Sequence, residues 1–334
     1  MLWHNGGTAD SAPSPGSHRP RASAPSSWPT TCAASTASAS ECSLRWTAAH
    51  PDAAVLTSTR RLPVVLFSPG LTGVRGQNTG WAMDLASHGY VVVALDHPYD
   101  SAAVLRRDGS IVRTTVTATG DDAEDNRAAD RLTAIRAADL RFVLDELHRV
   151  GGPRAPGEPP VDIPEGLTHL VGRLDLNRVA VAGHSIGGAA ALLAAGHDPR
   201  MRAVVNLDGL PRAAGSLPHR PPVLALVAGR GTGNAPGDAR YEETLEEVLA
   251  AAAPSVRVEV PGAAHLSLTD APSFLPPLPS LTGDTGRTSG PWAAAFATRA
   301  FLDEALAASA RASWSVPLRD RLARVGEVTL YESE

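Results

Sequence analysis

Apolar residues fall along the chain in short unbroken runs separated by longer amphipathic stretches. From Leu62 onward the runs are LPVVLF (62–67), YVVVAL (90–95), RVAVA (178–182), AVVNL (203–207), VLALVA (223–228) and VRVEV (256–260). Most carry apolar side chains at consecutive positions, the pattern of strands covered on both faces, as in a parallel sheet. Between them the period lengthens. Leu132, Ile135, Leu140, Val143, Leu144 and Leu147 form one stripe within a polar stretch from 125 to 149. Helices are also predicted near 80–87, 189–195, 242–252 and 292–308. This alternation predicts an α/β architecture: a mostly parallel central sheet, helices on both faces, right-handed crossovers. Arg107-Asp108-Gly109-Ser110 punctuates the β-prone runs of 104–116 and predicts a small hairpin. Residues 151–166 and 271–290 are Pro/Gly-rich and read as loops.

Upstream of Arg61 the texture is different. Ser, Ala, Pro and Thr dominate residues 6–59, and few large apolar groups are present to offset the entropy of ordering them. The expected organisation is a low-complexity, disordered segment over 1–59 and one folded domain over 60–334. Of the 334 residues, 43% are hydrophobic, enough for a sizeable core. The net charge of −5 gives no electrostatic footprint for nucleic acid. Cys32 and Cys42 read as incidental thiols, and no Cys/His cluster has zinc spacing, so neither metal nor cofactor is expected. No apolar run approaches the roughly 18 residues of a membrane span. The first thirty residues lack the apolar core of a signal peptide, which makes a cytoplasmic location the expectation unless the start site is misplaced.

The chemistry-bearing motif is Gly183-His184-Ser185-Ile186-Gly187-Gly188. It follows a predicted strand directly and opens a predicted helix, the strand–turn–helix context of a nucleophile elbow. Ser185 is the candidate nucleophile. The turn is tight enough that side chains at Gly183 and Gly187 would meet neighbouring backbone. A helix N-terminus behind the serine also favours a developing oxyanion.

A serine needs a histidine to take its proton and a carboxylate to orient that histidine; with this motif the chain order is Ser, acid, His. After Ser185 the histidines are His197, His219 and His265. His197 ends the helix after the elbow, and His219 lies in a Pro-rich loop at the opposite end of a strand from the site. His265 follows the strand 256–260 through Pro261-Gly262-Ala263-Ala264, where a base belongs. Asp208 follows the strand 203–207; after the strand 223–228 no carboxylate appears until Asp238, so Asp208 is the predicted acid. Two backbone N–H groups should form the oxyanion hole, one from Ile186 and one from the loop after strand 62–67, where Leu71 is favoured.

The blocks PVVLFSPGLTG, DLASHGYVVVALDH, GHSIGGA, AVVNLDG and VPGAAHLSLTD run from about 62 to 270. In order and spacing they resemble the plasma-type (group VII) platelet-activating factor acetylhydrolases and their bacterial relatives. The resemblance implies an α/β-hydrolase fold, and it places the acid directly after the strand that follows the elbow helix, where Asp208 stands. Pro69 replaces the histidine usual in that family's oxyanion loop and leaves the backbone donor of Leu71 in place. It further implies a serine esterase working through an acyl-enzyme on short-chain acyl esters or platelet-activating-factor-like phospholipids, with a small-molecule or lipid ester as partner. A cutinase-like lipase or polyester hydrolase is the alternative, disfavoured by the acid-free end of strand 223–228.

Overall fold

Strands with consecutive apolar side chains need cover on both faces, and the helices of this chain supply it. The computed structural model describes residues 2–4, 7–8, 61–106, 108–151, 170, 172–212, 217–229, 235–251, 254–307 and 314–331, with the backbone alone at 2–4, 7–8 and 235–238. In chain order the elements are β1 (Leu2–His4), β2 (Gly7–Thr8), β3 (Leu62–Ser68), α1 (Thr79–Ser87), β4 (Val91–Ala94), the hairpin β5 (Ala103–Leu105) and β6 (Ile111–Arg113), and α2 (Asp122–Gly151). There follow β7 (Leu174–His184), α3 (Ile186–His197), β8 (Met201–Leu207), β9 (Val223–Ala228), α4 (Ala235–Ala251) and β10 (Ser255–Val260). The chain continues through a 3-10 turn (His265–Leu268), α5 (Ala271–Phe274), α6 (Pro279–Thr282), α7 (Ser289–Ala305) and α8 (Val316–Leu322) to β11 (Glu327–Tyr331).

The central sheet has the order β11-β10-β9-β8-β7-β3-β4-β1-β2. The six strands from β4 to β10 pair in parallel, while β11, β1 and β2 join antiparallel at the edges. Alternation along β3 shows why the sequence runs are continuous. Val65 and Phe67 face a core shared with α1, α7 and α8, and Val64 and Leu66 face one shared with α2, α3 and α4. From β3 the chain first adds β4 on one side and then, through α2, β7 on the other. The connections at the carboxyl ends of β3 and β7 thus diverge, leaving the crevice in which open α/β sheets place their sites. Among the described residues no helix is long and apolar enough to cross a membrane.

Four features depart from the sequence expectations. Residues 2–4, expected to be disordered within 1–59, pair antiparallel with β4 (Leu2↔Val93, Trp3↔Val92) and are themselves paired by 7–8. Edge pairing uses backbone groups, so a three-residue strand forms with no periodic side-chain signal. The rest of 1–59, including Cys32 and Cys42, and most of the 151–166 loop lie outside the described residues. On α2 the buried face is Thr133, Arg136, Ala137, Leu140 and Leu144, whereas Ile135 is exposed. A stripe of apolar residues alone leaves out the buried arginine at the centre of this face. The 271–290 stretch, expected as loop, holds the two single-turn helices α5 and α6, each with proline in its first turn. Finally, α8 and β11 were not predicted; β11 (EVTLY) is a half-exposed edge strand whose mixed composition resembles neither a buried run nor a helix stripe.

Candidate active site

The residues singled out by sequence converge at the carboxyl ends of β3, β7, β8 and β10. Ser185 caps α3 with φ 56° and ψ −128°, a conformation that costs a non-glycine residue about 1–3 kcal/mol. The strain is enforced by packing. A Cβ on Gly183 would lie 2.2 Å from the backbone of Gly187, and one on Gly187 would lie 2.1 Å from the carbonyl oxygen of Ser68. The second contact presses the first turn of α3 against Ser68 and Pro69, where the loop after β3 begins. Among the described residues, the other non-glycine positions with positive φ are Thr72, Tyr99 and Asp208. All stand just past the carboxyl end of a parallel strand, around the same crevice.

Asp208 and His265 meet directly, with His265 Nδ1 donating to Asp208 Oδ2 at 2.6 Å. The carboxylate is held from its other side by the backbone N–H of Ala228 at 2.9 Å and by the Tyr241 hydroxyl at 3.3 Å. Burial on its own would raise the Asp208 carboxyl, but the hydrogen bond and charge of His265, with the Ala228 N–H, hold it below the usual range. The Tyr241 hydroxyl, buried beside this carboxylate, is pushed well above its ordinary value and stays a donor. Asn206 locks the turn that presents the acid: its Oδ1 accepts from Gly209 N at 2.9 Å and its Nδ2 donates to Gly209 O at 2.8 Å. Gly209 in turn abuts Ser185, since a Cβ there would lie 2.3 Å from the serine carbonyl oxygen. Acid turn and elbow therefore share one contact. Asp238, the alternative acid, has its side chain outside the described residues.

A second layer joins the nucleophile turn to the base. His184 Nε2 donates to the His265 carbonyl at 2.9 Å, and the two rings lie 4.5 Å apart. A carbonyl only accepts, so Nε2 carries the proton and Nδ1 is free to accept from Gln77 Nε2 at 3.4 Å. Gln77 Oε1 then accepts from Gly70 N at 2.7 Å. Burial, reinforced by the neighbouring His265, pushes His184 down to about 3, so the ring is neutral at ordinary pH. The same segment is tied to the base loop by Asn78 Nδ2, which donates to Leu268 O at 2.8 Å, and by Asp270, whose carboxylate accepts from Gly80 N at the start of α1. Gln77, His184, Asn206 and Tyr241 were not singled out by sequence reasoning. Asn206 carried a signal, a lone polar residue inside a buried strand run; Gln77 and Tyr241 carried none.

The loop after β3 is held on both sides of Leu71: Gly70 N–H by Gln77, and Thr72 N–H by Asp100 Oδ1 at 3.2 Å. Leu71 itself is half exposed. Ile186 opens α3, where an N–H has no intrahelical acceptor.

A ferulic acid esterase from Streptomyces cinnamoneus superposes with a TM-score of 0.62 at 28% identity, over 85% of this chain and 76% of that one. The strand order and this likeness establish the α/β-hydrolase fold. Platelet-activating factor acetylhydrolases of Canis lupus familiaris and Cavia porcellus are each 28% identical over 46% of the chain. The match spans little more than a third of those relatives' own length, 36% in each. Residues 41–213, just over half of the chain, match the sequence profile of the family described as platelet-activating factor acetylhydrolase, isoform II. The stretch contains the β3 loop, the elbow and the acid turn, and this chain belongs to that family.

Proposed function

We propose that the protein is a serine carboxylic-ester hydrolase in which Ser185 is the nucleophile, His265 the base and Asp208 its orienting acid. The observation that carries this reading is the 2.6 Å Asp208–His265 contact, set against the turn that strains Ser185. With Nδ1–H committed to the carboxylate, His265 Nε2 is the nitrogen left to take the Ser185 proton. Ser185 Oγ attacks the ester carbonyl carbon while that proton passes to Nε2. The carbonyl oxygen becomes an oxyanion facing the N–H groups of Leu71 and Ile186. Collapse expels the alcohol, which takes the proton from His265, and leaves an acyl-serine. Water then attacks the acyl carbon, giving its proton to His265; the carboxylic acid departs and Ser185 regains its proton.

Short-chain acyl esters and platelet-activating-factor-like phospholipids are the proposed substrates, supported by the family and the acetylhydrolase relatives. The position of the acid favours this over a cutinase-like lipase or polyester hydrolase: Asp208 follows β8, and the end of β9 contributes to it a backbone N–H. Fluorophosphonate labelling followed by peptide mapping tests the chemistry; modification is expected on Ser185, and an unlabelled protein would sink the proposal. Rates on 4-nitrophenyl acetate, butyrate and octanoate, on a methyl ferulate ester and on a 2-acetyl phospholipid then rank the substrates. Preference for octanoate over acetate would move the reading toward a lipase.

A further inference from the structure

A guanidinium is seldom buried unless every one of its donors is engaged. Arg136 lies on the inner face of α2 with no exposed surface. Its five N–H groups have five destinations. Nε donates to Asp100 Oδ2 at 2.6 Å and Nη2 to Asp100 Oδ1 at 2.7 Å, a bidentate pair. The second Nη2 hydrogen reaches Gly70 O at 3.0 Å. Nη1 donates to Pro69 O at 2.5 Å and to Ser68 Oγ at 3.4 Å. Asp100 in turn accepts from Thr72 N at 3.2 Å. One buried ion pair thus contacts residues 68, 69, 70 and 72, on both sides of Leu71.

The geometry of the peptide unit turns these contacts into a constraint. In a trans peptide the carbonyl of one residue and the N–H of the next point in opposite directions across one rigid plane. At the Pro69–Gly70 unit, Arg136 holds the carbonyl and the opposite N–H points to Gln77, whose amide continues to His184 beside the nucleophile. At the Gly70–Leu71 unit, Arg136 again holds the carbonyl, now with Gly73 N at 2.9 Å. The Leu71 N–H is thereby turned away from α2. Gly70 can adopt backbone conformations closed to other residues, and Thr72 already stands at φ 57°, so the loop has other peptide orientations within reach if it is released. Replacing a buried ion pair by apolar residues often leaves stability unchanged or improved, so stability is a weak reason for this pair to exist. Geometry is a better one.

We propose that Arg136, braced by Asp100, is the positioning residue of the oxyanion hole, fixing the Gly70–Leu71 peptide plane so that Leu71 N–H faces the carbonyl under attack. The proposal rests on the hydrolase reading above. Arg136 touches no substrate; it acts through the loop. Lysine keeps the charge but lacks the planar fork needed to hold a carboxylate and two carbonyls together.

The test begins with the full-length wild type and a fluorophosphonate, mapped by mass spectrometry. Arg136→Lys and Asp100→Asn are then compared with it in thermal melting, in kcat and KM on 4-nitrophenyl acetate, and in inhibition by an aryl boronic acid, whose serine adduct places a boron-bound oxygen in the hole. Arg136→Lys is expected to lower kcat by about 10²-fold, the order seen when one oxyanion donor is lost, with KM within about 3-fold. Boronate affinity should fall in step with kcat/KM. Asp100→Asn, which leaves the guanidinium on its two carbonyls, should show the same split at about 5- to 10-fold. A folded Arg136→Lys with kcat within about 3-fold of wild type, or one that loses only KM or melting temperature, overturns the clamp and leaves the hydrolase intact. Should Arg136→Lys fail to fold, unchanged kcat and boronate affinity in Asp100→Asn overturn it equally. A wild type unlabelled at Ser185 removes the hydrolase reading and the clamp together.

Discussion

Ser68, His97 and Asp139 are linked atom for atom as the proposed catalytic set would be. Ser68 Oγ lies 2.9 Å from His97 Nε2, and His97 Nδ1 lies 2.7 Å from Asp139 Oδ2, against 2.6 Å for His265 Nδ1 and Asp208 Oδ2. What differs is the burial gradient along each chain. In the Ser68 chain the imidazole is 2% exposed and the acid 40%; in the Ser185 chain the imidazole is 44% exposed and the acid 12%. Ser68 is fully buried at the end of an extended strand, whereas Ser185 is lifted on a strained turn. An enclosed carboxylate behind an open imidazole can steady a positive charge that forms at the surface. A wet carboxylate behind an enclosed imidazole ties β3, β4 and α2 together and offers nothing to a substrate. Connectivity alone does not make a triad; access and the order of burial do.

The largest expected effects test this contrast directly. Ser185→Ala should lower ester hydrolysis by roughly 10⁴-fold or more with the melting temperature nearly unchanged. Ser68→Ala should keep fluorophosphonate labelling and lose about 1–3 kcal/mol of stability instead, because it strands the buried His97 nitrogen. Labelling that follows Ser68 rather than Ser185 would reverse the assignment. Next in size, Asp208→Asn should cut kcat by about 10³–10⁴-fold by favouring the wrong imidazole tautomer. Asp139→Asn, at an exposed acid, should stay within about 10-fold of wild type; comparable losses in the two variants would erase the distinction.

The two buried imidazoles also differ in their partners: His97 faces a carboxylate, and His184 faces an amide, a carbonyl and another imidazole. His184 is pushed down to about 3, while an unfolded chain takes up this proton near 6.5. The unfolded state therefore binds more protons across that window, and stability falls as pH drops from about 6.5 toward 3. His184→Gln should flatten this slope in melting curves taken from neutral to acid pH; an unaltered slope would place the acid loss elsewhere. The smallest effect is reserved for Tyr241→Phe. It removes the 3.3 Å bond to Asp208 but leaves the Ala228 N–H, so kcat should fall by less than about 10-fold. A larger drop would mean that the hydroxyl, not the backbone, holds the acid.

The sheet was legible because its strands are covered on both faces and therefore read as unbroken apolar runs. The elbow was legible because steric need dictates glycine at 183 and 187. What escaped was everything fixed by pairing across long sequence distances. Gln77 reaches His184, Tyr241 reaches Asp208, and Arg136 reaches Pro69 and Gly70, with no local pattern to announce any of them. Arg136 was further hidden because a buried arginine interrupts the periodicity by which a helix face is recognised. The N-terminal strand escaped for a different reason: main-chain pairing at a sheet edge asks almost nothing of side chains.

The glycine contacts at the elbow also bear on how such a protein can diversify. At Gly183, Gly187, Gly188 and Gly209 a single added methyl carbon would sit between 2.0 and 2.3 Å from neighbouring atoms, backbone in three of the four cases. The floor of the crevice has no slack for incremental change, and a lineage cannot drift there one substitution at a time. The short helices α5 and α6, which pack on the turn bearing His265, are the opposite. With the residue that precedes α6, they present Phe274, Leu278 and Leu281 to solvent, positions where side chains of almost any size fit. Adaptation to new esters, by selection or by a directed library, is therefore expected to accumulate in 271–282 while the glycine floor stays fixed.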